Sequence, residues 1–221
     1  MQQFPKALLE GVSKIYETEK EHVTAVVNVD LTVREGEVVG IVGPSGCGKT
    51  TLLNLMAGFV RPTEGRVLID DQPPIPGRGS VGVVFQADSV FPWMTVGENV
   101  GYGMQFNGSP TADRQAVVNR HLDNVGLAGL AHRWPRELSG GMKKRVDLAR
   151  AYAANPQVLL LDEPFGSLDV LTKEEMQILF RRTWNDQRKT AIFVTHDVEE
   201  AVFVAQRVAV MSTQQIGRAH V

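Results

Sequence analysis

Three short apolar runs stand out along the chain, at Val38–Val42, Val81–Phe85 and Val158–Leu161. They are rich in aliphatic and β-branched residues, and continuous runs of this length are typical of central parallel strands that are covered on both faces. Ala191–Val194 and Val208–Met211 are weaker runs of the same kind. Segments of helical length separate the runs, and strands that alternate with helices predict an α/β fold. The predicted helices are Lys49–Ala57, Asp113–Val125, Gly141–Ala153, Thr172–Gln187 and Val198–Ala205.

The first third of the chain has a different pattern. Ala7–Tyr16 and Ala25–Val33 are predicted to be antiparallel strands around a charged turn at Glu17–Glu21. Gly65–Asp70 is predicted to be another short strand that follows a turn. We therefore expect an N-terminal antiparallel β-layer beside the parallel sheet.

The segment 92–153 contains no convincing strand and is predicted to be helical. We interpret it as a helical lobe inserted into a single domain, residues 1–215, whose core is formed by 1–91 and 154–215. The last six residues, 216–221, correspond to one reading frame of a common sequencing-adapter sequence. We interpret them as a tail that does not belong to the natural protein.

Composition narrows the possible partners. The 221 residues are 43% hydrophobic and carry a formal net charge of −2, so no overall positive field attracts nucleic acid. The basic run Lys143–Arg145 is interpreted as a solvated helix face. The single cysteine, Cys47, allows no intrachain disulfide and fits a reducing, cytosolic compartment. No segment approaches the roughly 18 uncharged apolar residues that span a bilayer.

A glycine-rich loop follows the first apolar run and matches G-x-x-x-x-G-K-[ST] between a predicted strand and a predicted helix. Its glycines let backbone N–H groups face inward around phosphate, Lys49 can reach the β- and γ-phosphates, and the Thr50 hydroxyl can bind Mg²⁺. Cys47 is interpreted as a small filler of the loop rather than a redox switch. The loop alone indicates a nucleoside triphosphate, because GTPases, kinases and motor ATPases share it. The predicted nucleotide-binding residues here are Gly43, Pro44, Ser45, Gly46, Cys47, Gly48, Lys49, Thr50 and Thr51.

A pair of acids, Asp162 and Glu163, ends the third apolar run. In a parallel sheet, ligands bind beyond the carboxyl ends of the strands, which would place Asp162 beside the phosphate loop. Asp162 is therefore a candidate ligand for Mg²⁺. Glu163 is a candidate for polarising the water that attacks the γ-phosphate. Together with the loop, the pair predicts a P-loop NTPase core of the RecA type.

With these motifs, the chain resembles the ATP-binding subunits of ABC transporters over almost its whole length. Leu138–Met142 resembles the signature loop of that family, and Ser167–Asp169 its D-loop. The resemblance implies that Gln86 is the Q-loop glutamine near Mg²⁺, that His196 is the switch histidine, and that Tyr16 stacks on adenine. It also assigns ATP contacts to four further residues, namely Ser139, Gly140, Gly141 and Asp169.

The resemblance implies a mechanism and partners as well. ATP would be sandwiched between two subunits, with the phosphate loop of one facing the signature loop of the other. Transmembrane permease subunits, and through them a solute-binding protein, would complete the transporter at the cytoplasmic face of the inner membrane. The surface beside the Q-loop would receive a helix of the permease. The candidate anchors for that helix are Val90, Phe91, Trp93 and Met94.

Three features resemble the importer branch for nitrate, sulfonate, taurine and similar small solutes. They are the stretch Phe91–Val96, the stretch Pro164–Asp169, and Met142, which stands where many members have glutamine. Two alternatives remain. The first is a soluble, non-transport ABC ATPase, a class that often has two modules, long insertions or a coiled coil, none of which is seen in this sequence. A small-molecule P-loop kinase would not explain Leu138–Met142.

Overall fold

The structure, a computed structural model, describes residues 5–17, 22–77, 79–87, 89–107, 111–166, 168–212 and 219–220. For 105–107, 111–113 and 219–220 only the backbone is described. The strands are β1 Ala7–Glu17, β2 His22–Val33, β3 Val38–Val42, β4 Glu64–Ile69, β5 Val81–Val84, β6 Val158–Asp162, β7 Thr190–Thr195, β8 Arg207–Met211 and β9 Ala219–His220. The α-helices are α1 Lys49–Met56, α2 Val96–Gly101, α3 Thr111–Asn124, α4 Gly140–Ala153, α5 Val170–Gln187 and α6 Val198–Val204. Short 3-10 helices lie at Tyr102–Asn107 and Pro135–Glu137.

The larger sheet has the strand order β5-β6-β7-β3-β8-β9. Its first five strands are parallel, and β9 pairs antiparallel with β8. In β3, Val39 and Ile41 belong to the core on one face of the sheet, whereas Val38 and Val42 belong to the core on the other. Because both faces are covered, no position in this strand favours a polar side chain, which explains the continuous apolar run.

The smaller sheet, with the order β2-β1-β4, is antiparallel throughout. Leu9 of β1 lies opposite Leu31 on one side and Val67 on the other, and all three side chains are buried. They share a core with Leu52 of α1 and Ile41 of the larger sheet. The predicted N-terminal β-layer is therefore present, and α1 is packed in the core between the two sheets.

The helices of the helical lobe have a core of their own, which includes Val96, Leu122 and Val146. Helix α4 also contacts the parallel-sheet core, because Leu148 and Tyr152 pack in the cluster on that sheet. Helix α4 therefore takes part in both cores, and Leu179 of α5 also packs against both.

The predicted fold class is confirmed: a parallel-sheet core of the P-loop type, an antiparallel layer and an inserted helical lobe. Most predicted helices and strands differ from the observed ones by one to three residues at their ends. The predicted tail, 216–221, lies outside the described residues except at 219–220, where Ala219 pairs with Met211. Within the described part of the chain, no helix is long and apolar enough to cross a membrane.

Candidate functional site

Four neighbouring parallel strands bring the predicted polar residues to one edge of the large sheet. Gln86 follows β5, Glu163 follows β6, His196 follows β7, and the phosphate loop begins at Gly43 after β3. Parallel strands end at the same edge, so these four points lie in a row. The site is therefore a direct consequence of the strand order.

The phosphate loop is shaped by close backbone approaches. Gly48 has a φ of +97°, and a Cβ atom there would lie 2.3 Å from the carbonyl oxygen of Ala25 on β2. The N–H of Gly43 donates to the carbonyl of Thr195 at 3.3 Å, which ties the loop to the end of β7. Cys47 is buried inside the loop, as expected of a filler. Only glycine fits at position 48, since a side chain would need both a disfavoured φ and space that β2 occupies.

Lys49 is buried, and its Nζ donates to the carbonyls of Gly43 at 2.7 Å and Pro44 at 2.9 Å. The sequence predicted that this ammonium reaches phosphate, and the structure shows it bonded to the loop itself. An ammonium group has three donors, so one N–H remains for a phosphate oxygen. The two hydrogen bonds to the loop carbonyls hold the Lys49 ammonium in place within the phosphate loop.

Thr50 and Asp162 come together across the site. The Thr50 hydroxyl donates to Asp162 Oδ1 at 3.4 Å. Burial raises the pKa of the Asp162 carboxyl above its ordinary value, and the hydroxyl of Thr50 opposes that shift. A hydroxyl and a carboxylate oxygen are ligands of the kind that Mg²⁺ takes. The two side chains therefore fit a magnesium ion and could supply two of its ligands.

Glu163 lies at the centre of the row. Its φ is +42°, a left-handed conformation that is uncommon for this residue type, and its N–H donates to the carbonyl of Val194 at 3.0 Å. Gln86 Nε2 donates to Glu163 Oε2 at 3.0 Å, and His196 Nδ1 lies 3.2 Å from Glu163 Oε1. One carboxylate is thus oriented from both sides by the residues that the sequence assigned to the Q-loop and the switch.

The basic run on α4 is not the solvated face that the sequence suggested. Lys144 is only 3% exposed, and its Nζ donates to the carbonyls of Phe85 at 3.2 Å and Gln86 at 2.5 Å. Arg145 bonds to Val125 and Glu175 and is also largely covered. The prediction was wrong because the charge pattern alone does not show that loop carbonyls approach this helix.

The signature residues lie at the start of α4. Ser139 is the N-cap and accepts from the N–H of Met142 at 3.3 Å, while Gly140 has no atom within 4 Å of where its Cβ would stand. No hydrogen bond joins Ser139, Gly140 or Gly141 to the phosphate loop among the described residues. Met142 packs against the core of the helical lobe, which accounts for an apolar residue at this position.

Two further predicted residues, Asp169 and Tyr16, likewise form no hydrogen bond with the phosphate loop in the part of the chain that the structure describes. Asp169 is the N-cap of α5, where a hydrogen bond with Thr172 lowers the pKa of its carboxyl. Ser167 lies outside the described residues. Tyr16 is half-buried near the end of β1, opposite Val23, and the Lys14 ammonium lies 5.0 Å from the centre of its ring.

Residues 26–166 match the model of the ABC transporter family. The chain belongs to this family. The taurine import ATP-binding protein TauB of Yersinia pestis is 46% identical over 188 residues, which is 85% of this chain and 74% of that protein. The bicarbonate transport ATP-binding protein CmpD of Synechocystis is 45% identical over 209 residues, which is 92% of this chain and 73% of that protein.

A solved structure gives the same result. The ATP-binding cassette MJ0796, a dimer in a post-hydrolysis state with ADP and phosphate, is 33% identical and has a TM-score of 0.84, with 97% of each chain covered. The ABC ATPase assignment and the resemblance to importer ATP-binding subunits are confirmed by these relatives. The role of each site residue remains a prediction.

The phosphate loop offers a first test. The substitution Gly48→Ala is expected to cost several kcal/mol of unfolding free energy, roughly the sum of left-handed strain and a steric overlap that β2 cannot relieve cheaply. Gly46→Ala is the matched control, because Gly46 has a φ of +80° but no atom within 4 Å of the added carbon. It is expected to lose only about 1 kcal/mol. Denaturant unfolding without nucleotide measures both, and equal losses would contradict the role of Ala25.

Proposed function

We propose that this ABC ATPase is the motor subunit of an importer for a small solute, and that Glu163 is its general base. The observation that carries the proposal is the double contact of Glu163, with Gln86 on one oxygen and His196 on the other. Such an arrangement leaves a carboxylate fixed in orientation beside a phosphate cradle. A general base needs that orientation before it needs any shift in acidity.

The phosphate loop would hold the triphosphate through its backbone N–H groups and the remaining donor of Lys49. The positive end of α1, which starts at Lys49, adds to the attraction. Thr50, Asp162 and Gln86 would hold Mg²⁺, which when bound neutralises charge on the β- and γ-phosphates. Tyr16 would stack on the adenine ring.

Hydrolysis would then use the row of residues along the sheet edge. Water attacks the γ-phosphorus, the bond to the β-phosphate oxygen breaks, and ADP and phosphate are formed. The proton of the attacking water passes to a carboxylate oxygen of Glu163. Gln86 orients the water, and His196 contacts the γ-phosphate. Loss of those contacts after hydrolysis would let the site reopen.

A complete site would require two copies of the chain. Ser139, Gly140 and Gly141 lie at an exposed helix N-terminus and make no bond to their own phosphate loop. The dimeric state of the related cassette supports their contact with the nucleotide of a partner copy, and Asp169 would lie at the same interface. A second copy of this chain would suffice, since each copy carries both halves of the site.

The permease would bind on the surface beside the Q-loop. Of the four candidate anchors, Val90 is buried and Phe91 packs on Tyr102, whereas Trp93 is 69% exposed. Phe59 and Phe85 add an exposed aromatic pair next to the Q-loop, with parallel rings 6.2 Å apart. Exposed aromatic side chains are frequent anchors at protein interfaces.

The test is co-purification with the permease subunits of an importer of this class, co-expressed with the chain. Trp93→Ala is expected to weaken that complex at least tenfold, because an exposed interface tryptophan commonly contributes more than about 1.4 kcal/mol. Phe203→Ala is the control, as Phe203 is 43% exposed on α6, away from the Q-loop. A chain that binds no permease would favour the soluble, non-transport ABC ATPase instead. Equal effects of both variants would contradict the assigned surface.

The names of the relatives and the sequence resemblance indicate the class of solute. The two relatives compared are named for taurine import and bicarbonate transport, and we infer a small anionic or zwitterionic solute of the taurine, sulfonate, nitrate or bicarbonate kind. A solute-binding protein would deliver it to the permease. The ATPase would be a peripheral protein at the cytoplasmic face of the inner membrane, held there by the permease.

A further inference from the structure

Helix α4 carries the signature residues at its N-terminus and five charged side chains further along, three of which bond to residues that follow β5. Lys144, Asp147 and Arg150 are spaced by three residues, so they lie on one side of the helix. All three bond to the segment 85–89, which contains Gln86. Helix α4 would contact the partner's nucleotide at its N-terminus. The same helix is hydrogen-bonded to the loop whose Gln86 orients Glu163.

The contact of Lys144 is the most direct. Its buried ammonium donates to the carbonyls of Phe85 and Gln86, so the backbone of Gln86 is held by a charged donor. Hydrogen bonds of this kind are roughly twice as strong as neutral ones. A buried lysine is costly unless its charge is bonded, so the loop carbonyls must stay near α4 wherever the helix moves.

The second contact fixes the loop three residues later. Asp147 accepts from the N–H of Ser89 at 3.2 Å and from its hydroxyl at 3.0 Å. Arg150 donates to the carbonyl of Ser89 at 2.8 Å and to Asp147 at 2.8 Å. Burial raises the pKa of the Asp147 carboxyl, and the Arg150 guanidinium opposes that shift. Ser89 is therefore bonded through its N–H, its carbonyl and its hydroxyl.

We propose that Lys144 and Asp147 are positioning residues that couple α4 to Gln86. When a partner's nucleotide engages the N-terminus of α4, the helix carries the bonded residues Phe85, Gln86 and Ser89 with it and sets Gln86 against Glu163. Each hydrolysis site would thereby respond to the nucleotide held at the opposite site. This coupling rests on the proposed function, because it acts through the contact between Gln86 and Glu163.

The experiment is a double-mutant cycle on the ATPase activity of the full chain. Lys144→Met keeps the length of the side chain and removes its donors. It is expected to lower kcat about tenfold, with KM for ATP changed less than twofold, since the phosphate loop is untouched. In a Gln86→Ala background the same substitution should lower kcat by less than twofold. Lys144→Gln, which can still donate to one carbonyl, should regain part of the rate.

Arg145→Met is the matched control. Arg145 lies on the same turn of α4, but its bonds go to Val125 and Glu175 instead of the segment 85–89. The N–H of Ser89 donates to Asp147, and its hydrogen exchange should rise at least tenfold in Lys144→Met and stay unchanged in Arg145→Met.

The outcomes separate the two proposals. Equal losses from Lys144→Met with and without Gln86 would overturn the coupling and leave the role of Gln86 intact. Unchanged exchange in Lys144→Met would overturn the coupling as well. Gln86→Ala with normal turnover would overturn both the coupling and the assigned role of Gln86. If Lys144→Met does not fold, Lys144→Gln takes its place in the cycle. It is expected to lower kcat about threefold, and this loss should vanish in the Gln86→Ala background.

Discussion

Glu163→Gln is expected to lower ATP turnover by a factor of about 100 or more, while ATP still binds. The amide has nearly the shape of the carboxylate, so the contacts with Gln86 and His196 can persist in part. It cannot accept the proton of the attacking water. Because the phosphate loop is unchanged, the variant should collect as an ATP-bound dimer that does not reopen.

Turnover is measured by phosphate release, and the dimer by its elution volume with ATP present. Glu199→Gln is the control, since Glu199 is an exposed acid in the first turn of α6, three residues after His196. It should retain normal turnover. A Glu163→Gln protein that hydrolyses ATP at a near-normal rate would exclude Glu163 as the base, whatever its dimeric state.

The sequence predicts the row of site residues well, and the reason is physical. Strands such as Val158–Asp162 are buried on both faces, so their apolar runs are unbroken and end abruptly at polar residues. Parallel pairing then places those polar ends at one edge. The pattern of runs therefore gives both the sheet and the position of Asp162 and Glu163. Gln86 and His196 were assigned by the family resemblance, and they lie at the same edge.

The helical lobe shows a signal that the prediction did not use. Helix α2 begins at a capping box, in which Thr95 accepts from the N–H of Glu98 and Glu98 accepts from the N–H of Thr95. Thr-x-x-Glu before an apolar position is visible in the sequence and locates the start of this helix. Its short length, Val96–Gly101, hid the usual periodicity.

The burial of Lys144 has no such signal. A lysine beside Lys143 and Arg145 has the charge pattern of a solvated face. Only the packing of α4 on the residues after β5 shows that two backbone carbonyls accept hydrogen bonds from this lysine. The same holds for the left-handed φ of Glu163, which depends on a bond to Val194 on a strand that follows much later in the chain. Both features depend on tertiary contacts that local patterns do not encode.

The exposed N-terminus of α4 makes the two-copy site testable. Gly140→Asp places a carboxylate where a methyl group would meet no atom, in the first turn of a helix, where an acid is favourable. The variant should therefore fold with unchanged or slightly higher stability. Its homodimer should hydrolyse ATP at least about a hundredfold more slowly, because the added charge would face the partner's triphosphate.

Mixing this variant with Glu163→Gln before ATP is added should restore activity. In a mixed dimer one site combines the intact Glu163 of the first variant with the intact Gly140 of the second, and the other site carries both defects. Random exchange of subunits between equal amounts of the two variants makes about half of all dimers mixed. Each mixed dimer has one working site of two, so the mixture should reach about a quarter of normal turnover.

The control is a chain that carries both substitutions, mixed with the normal chain, because each site of that mixed dimer then carries one defect. Only the homodimers of the normal chain then hydrolyse ATP, and they are about a quarter of all dimers. Doubling the amount of the altered chain should lower the turnover of the mixture further. If the two single variants fail to restore each other, Gly140 acts on the nucleotide of its own chain and the shared site is wrong.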